Sequence, residues 1–173
     1  MTTESELTLK NVTVLGGSTA LLVGQWGKLN TTNCKFHGAG IGVEVSAGGL
    51  SNLENTSIVM SRIGISIADG GKMSIKNSKI VKNTEYGLVI HCGKNNEFEG
   101  VWRGEMGVNK AAKFGVNIIL SEMSQNCLGD VAVLELVTQL PTPNISPFLE
   151  KRKDLLRKLD TNTQELLSHH KFI

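Results

Sequence analysis

Leu9–Gly17 (LKNVTVLGG), Thr31–Val45 (TTNCKFHGAGIGVEV), Leu53–Ile67 (LENTSIVMSRIGISI) and Ile75–Ile90 (IKNSKIVKNTEYGLVI) are variations on one pattern. Each holds an asparagine at the same place: Asn11, Asn33, Asn55 and Asn77, each 22 residues after the last. Glycines close the units at the same spacing: Gly27, Gly48–Gly49, Gly70–Gly71 and Gly93. A fixed period of this length marks a chain built from stacked supersecondary units.

Units begin at Glu6, Lys28, Leu50, Lys72 and Lys94. Ahead of each asparagine, Leu7/Leu9, Leu29/Thr31, Ser51/Leu53 and Met73/Ile75 alternate with polar residues, as in a strand with one buried face. Behind it, Val12/Val14, Cys34/Phe36, Thr56/Ile58 and Ser78/Ile80 define a second short strand. A third carries Leu21/Val23, Val43/Val45, Ile65/Ile67 and Leu88/Ile90, entered through Gly42, Gly64 and Gly87 in units two to four. Three short strands per repeat describe one coil of an all-β parallel β-helix, in which stacking makes a continuous core that one coil cannot. The asparagines fit sharp corners, since asparagine tolerates left-handed backbone, and their amides are positioned to hydrogen-bond along the axis. Val14, Phe36, Ile58, Ile80 and Trp102 are expected to stack as one apolar ladder. The fifth unit, Lys94–Gly115, has Glu99 for the asparagine and reads as a decayed or end coil.

Beyond the repeats, VNIIL and VAVLELV read as strands that continue or close the coil. The expected organisation is a β-helix of about five to six coils over residues 6–140, a proline-rich connector over 141–147, and an amphipathic helix over 148–170. That helix is expected to pack on the β-helix or on a partner. The first coil has only a short polar lead-in and no cap, so the expectation is either that the chain is a piece of a longer protein or that this end is covered by another molecule, as in end-to-end stacking.

The quoted segments resemble the right-handed parallel β-helix superfamily, the pectin-lyase-like fold. In repeat style and cysteine use the chain looks like the non-enzymatic intracellular β-helices of SHC-binding spindle-associated proteins and of F-box β-helix proteins. Enzymes of this fold carry converging carboxylates on one strand ladder. Here the outward positions of the third strand are Leu22, Glu44, Ser66 and Val89, a single carboxylate. The family's catalytic residues therefore have no positions to occupy, and the expectation is no catalytic residue, no metal and no cofactor. His91–Cys92 is a conceivable base–nucleophile pair but reads better as a turn residue beside a buried thiol.

Composition narrows the partners. Net charge is +2, too small a field to draw nucleic acid or membrane. The three cysteines, Cys34, Cys92 and Cys127, have no metal-like spacing, and with the absence of a secretory signal they suggest an intracellular, cytoplasmic setting. Thr8, Asn30, Asn52, Ser74 and Asn96 form an uncharged outward row, and Lys151, Arg152, Arg157 and Lys158 form a basic cluster. These are the candidate interaction residues, and the asparagine corner is structural. The leading expectation is a structural or protein-interaction module that binds a protein partner or itself. A carbohydrate-binding or carbohydrate-processing protein of the pectin-lyase-like group is the alternative, with Trp26 and Tyr86 as the available ring platforms. A viral or phage structural component is a third.

Overall fold

The computed structural model describes residues 5–93 and 100–135, which carry sixteen strands, one helix and one 3-10 turn. The first rung is β1 (Ser5–Lys10), β2 (Thr13–Leu15) and β3 (Thr19–Val23), and the second is β4 (Gly27–Thr32), β5 (Lys35–His37) and β6 (Ile41–Val45). The third is β7 (Leu50–Glu54), β8 (Ser57–Val59) and β9 (Ile63–Ile67), and the fourth is β10 (Lys72–Lys76), β11 (Lys79–Val81) and β12 (Tyr86–Cys92). An excursion follows: β13 (Gly100–Trp102), α1 (Glu105–Ala111) and a 3-10 turn (Ala112–Phe114). A fifth rung then forms from β14 (Val116–Ile119), β15 (Glu122–Ser124) and β16 (Gly129–Glu135).

Equivalent strands pair in parallel, giving three sheets in the orders β1-β4-β7-β10-β14, β2-β5-β8-β11-β15 and β3-β6-β9-β12-β16, the last ended by β13. Inside lie the predicted inward positions: Leu29, Phe36, Val43, Val45, Leu53, Ile58, Ile65, Ile67, Ile75, Ile80, Leu88 and Ile90 are all buried. The first rung is different. Leu9, Val12, Val14 and Leu21 are only partly covered, and Leu7 is 51% exposed.

Each rung turns through left-handed corners. The asparagines occupy the first, with φ of 56° at Asn11, 55° at Asn33, 48° at Asn55 and 50° at Asn77. Their backbone N–H groups donate to the next rung, as in Asn33 N to Glu54 O at 3.1 Å. Their side chains, however, are exposed, and the interlocked amides lie elsewhere. Inside, Asn83 Nδ2 donates to Asn126 Oδ1 at 2.8 Å, and Asn126 Nδ2 donates to Asp130 Oδ1 at 3.0 Å. A buried hydroxyl column adds to this: Thr56 N–H donates to Ser78 Oγ, and Ser78 N–H to Ser121 Oγ, both at 3.0 Å.

Two expectations are corrected here. The described part of the expected fifth unit, Gly100–Gly115, is not a coil but β13, α1 and the 3-10 turn. The fifth rung starts at Val116, with Met73 opposite Val116 and Ile80 opposite Met123. Trp102 therefore leaves the apolar ladder and Met123 (6% exposed) completes it. Trp102 belongs to β13, which runs antiparallel to β16. Asp130 ties the excursion to the fifth rung by accepting the Gly104 N–H at 3.0 Å. The 148–170 helix, with Lys151, Arg152, Arg157 and Lys158, lies outside the described residues, as does Asn96.

Candidate functional site

The outward face of the first sheet has the most regular chemistry. Strand alternation sends every second residue outward, and parallel pairing in register turns those positions into rows. The central row is Thr8, Asn30, Asn52, Ser74 and Asn117, so Asn117 takes the place expected of Asn96. Asn52 Nδ2 donates to Asn30 Oδ1 at 2.8 Å, and Asn30 Nδ2 donates to Glu6 Oε1 at 2.6 Å. The flanking rows carry ion pairs between rungs, Lys28–Glu6 at 3.1 Å and Lys76–Glu54 at 3.4 Å. These pairs are well exposed, so each contributes only about 0–1 kcal/mol. They fix the side chains of the face more than they stabilise the fold.

Beside this face runs a groove of about 810 Å³, lined among others by Glu6, Trp26, Lys28, Gly48, Asp69 and Lys72. Trp26 has φ 62° and is 53% exposed. Its ring lies along the glycine corner of the next rung, where a Cβ added at Gly48 would sit 3.4 Å from Trp26 Cε3. That distance is ordinary van der Waals contact, so it is the backbone of Gly48, at φ 74°, that favours glycine there. Tyr86 starts β12 on the third sheet and does not line this groove. The aromatic residues singled out in the sequence are thus not gathered into one platform.

The third sheet corrects a further expectation. Its outward middle positions do not form an open row: Ser66 is 7% exposed, Val89 1% and the fifth-rung equivalent Ala132 0%. Glu44 is half-buried and accepts a hydrogen bond from Thr19 Oγ1 at 3.4 Å. His91 lies within the field of Glu44. Burial pushes the imidazole below its usual 6.5, and the nearby carboxylate partly offsets that.

Cys92 faces the other way. It is buried, with Sγ 3.5 Å from the Leu134 carbonyl oxygen, whereas His91 helps line a small cavity of about 230 Å³ on the outside. Neighbouring residues of a strand point to opposite faces, so these two cannot act as base and nucleophile. Among the described residues no group of three or more histidine, cysteine or acidic side chains is placed to hold a metal ion. No helix among them is long and apolar enough to cross a membrane.

Stacked parallel rungs of three short strands define a β-solenoid. The chain belongs to the right-handed β-helix family: the family described as right handed beta helix region matches residues 1–127. Comparison with curated proteins and comparison with solved structures both return no match.

Proposed function

We propose that this β-helix is a non-catalytic module that docks a protein partner on the outward face of its first sheet. The observation that supports this most is the in-register row Thr8, Asn30, Asn52, Ser74 and Asn117. It offers uncharged donors and acceptors at the strand-to-strand interval of about 4.8 Å, on a frame that needs no reordering to bind. The charged side chains beside it are largely paired with one another, so a partner meets a neutral, hydrogen-bonding strip. Glu44 lies on a mostly covered sheet, and its equivalents in the other rungs, Leu22, Ser66, Val89 and Ala132, carry no carboxylate.

The test is site-specific photo-crosslinking. A photoreactive residue at Asn52 should capture a partner that one at Lys35, on the second sheet, does not. The partner, once purified, should bind the native protein directly. Asn52→Arg should weaken that binding at least about ten-fold, since an unmatched charge is introduced at the centre of the strip. Glu44→Ala should leave it unchanged. Equal capture at both sites, or indifference to Asn52→Arg, would sink the reading.

One observation favours a second reading, carbohydrate. The exposed Trp26 indole lies over a glycine floor, beside the polar row and within reach of Glu6 and Lys28. Glycan-array binding that is lost in Trp26→Ala but kept in Asn52→Arg would point there.

A further inference from the structure

Two successive corners lead from the third sheet back to the first through the same tight turn: Gly49 N–H donates to Ser46 O and Gly71 N–H to Ala68 O, each at 2.9 Å. One rung later the path is longer. β12 ends at Cys92, and the first sheet resumes only at Val116, after the excursion. A cavity of about 230 Å³ lies at this junction. Asp69 and Lys72 line it from the third-rung corner and the start of β10, His91 from β12, and Lys113, Phe114 and Gly115 from the returning chain.

The groups around it combine cations with one anchored carboxylate. Lys72 belongs to none of the ion pairs formed among the described residues. Its stem runs along the returning chain: a Cβ on Gly115 would stand 3.4 Å from Lys72 Cγ. Lys113 and the imidazole of His91 bring further donors. Asp69 is held in place because its Oδ2 accepts the Gly93 N–H at 3.0 Å, which leaves Oδ1 to accept from a hydroxyl. The volume is below the roughly 300–1,000 Å³ of pockets that take drug-sized ligands, so the space suits a small molecule and not a polymer.

We propose that this cavity binds a small phosphate monoester that carries hydroxyl groups, with the phosphate at Lys72, Lys113 and His91 and a hydroxyl at Asp69. A phosphate has three strong acceptor oxygens and close to two negative charges at neutral pH. It can therefore meet ammonium and imidazole donors together in short, charge-assisted bonds, where a single carboxylate would match fewer of them. Asp69 repels an anion set against it, so the phosphate lies on the lysine side and the ester's hydroxyl reaches Asp69 Oδ1. The cavity shares no residue with the central row of the first sheet, so its occupancy is independent of the docking role proposed for that row.

NMR titration of the full chain tests it, with glycerol 3-phosphate as the probe. The ester should shift the His91 ring and the Gly93 and Gly115 amides saturably, with a Kd below about 1 mM, whereas glycerol should not. A bound phosphate favours the imidazolium, so the His91 titration should move to higher pH, with Glu44, Asp69, Lys72 and Lys113 as the other charged groups around the ring. Lys72→Gln should weaken binding at least about ten-fold, because it removes a charge-assisted bond. Lys76→Gln removes the same charge at the other end of β10 and should leave binding unchanged. Trp26→Ala should also leave it unchanged, which separates this cavity from the groove beside the first sheet. The absence of a saturable shift up to about 10 mM ester overturns the proposal. So does equal weakening by Lys72→Gln and Lys76→Gln, which would mean attraction to net charge alone, or binding of glycerol as tight as that of its phosphate.

Discussion

At the first corner of each rung the backbone is left-handed, whatever residue stands there. Four rungs place asparagine at it and the fifth places Leu120, with φ 49°. A left-handed conformation costs an ordinary L-residue about 1–2 kcal/mol, and asparagine less because its short polar side chain hydrogen-bonds locally. Leu120 is 83% exposed, so its side chain returns little burial for that strain. Leu120→Asn should therefore stabilise the protein by about 1 kcal/mol, measured by urea unfolding. Asn55→Ala, at φ 48°, should destabilise it by about 1 kcal/mol, while Asn55→Gly should be near neutral because glycine adopts the conformation freely. If Asn55→Ala were neutral, the corner would not explain the asparagine. An exposed amide that stacks with nothing would then have no structural reason to recur.

At the scale of the strand and its neighbours, glycine sets how closely rungs approach at the entry to the third sheet. A Cβ on Gly64 would stand 2.5 Å from the Gly87 carbonyl oxygen and 2.6 Å from Ile80 Cγ2. The first obstacle is backbone, which cannot rotate away. Gly64→Ala should cost about 1–3 kcal/mol or more, the usual range for overpacking. Ile65→Ala, at a position with no exposure, should cost about 2–5 kcal/mol by leaving a cavity. Both are readable by chemical denaturation.

The same scale explains what the sequence could tell. Strand alternation and the asparagine period identify inward and outward residues through the fourth rung because every unit there repeats within one residue. The fifth rung is harder to see because equivalent residues are 43 apart, as in Ile80 and Met123, nearly twice the period. A 22-residue count therefore lands inside the excursion and mistakes it for a worn coil. The signal that survives is Ser121, Met123 and Asn126, which match Ser78, Ile80 and Asn83. The polar row was legible as far as Ser74 for the same reason. The Trp26 groove was not, because it depends on Gly48 of the next rung passing beneath the ring.

For the molecule as a whole, the pH dependence of stability has an identifiable contributor in His91. Burial lowers its pKa below 6.5 in the folded state, while Glu44 pulls the other way. Asp69, Lys72 and Lys113 also line the cavity it faces. On acidification the unfolded chain takes up the His91 proton first. The unfolded state therefore binds more protons in this window, and stability falls as pH drops below about 6.5 toward the folded value. Above that pH the contribution is fully present. Comparing urea unfolding at neutral pH and near pH 5, the native protein should lose more stability than His91→Gln does, with the difference assigned to this one imidazole. Glu44→Gln removes an attraction that offsets burial. It should move the His91 titration, followed by NMR, to lower pH and enlarge the loss. If the His91 titration instead moved upward in Glu44→Gln, or if His91→Gln left the acid sensitivity unchanged, the balance between burial and the carboxylate would have to be reversed.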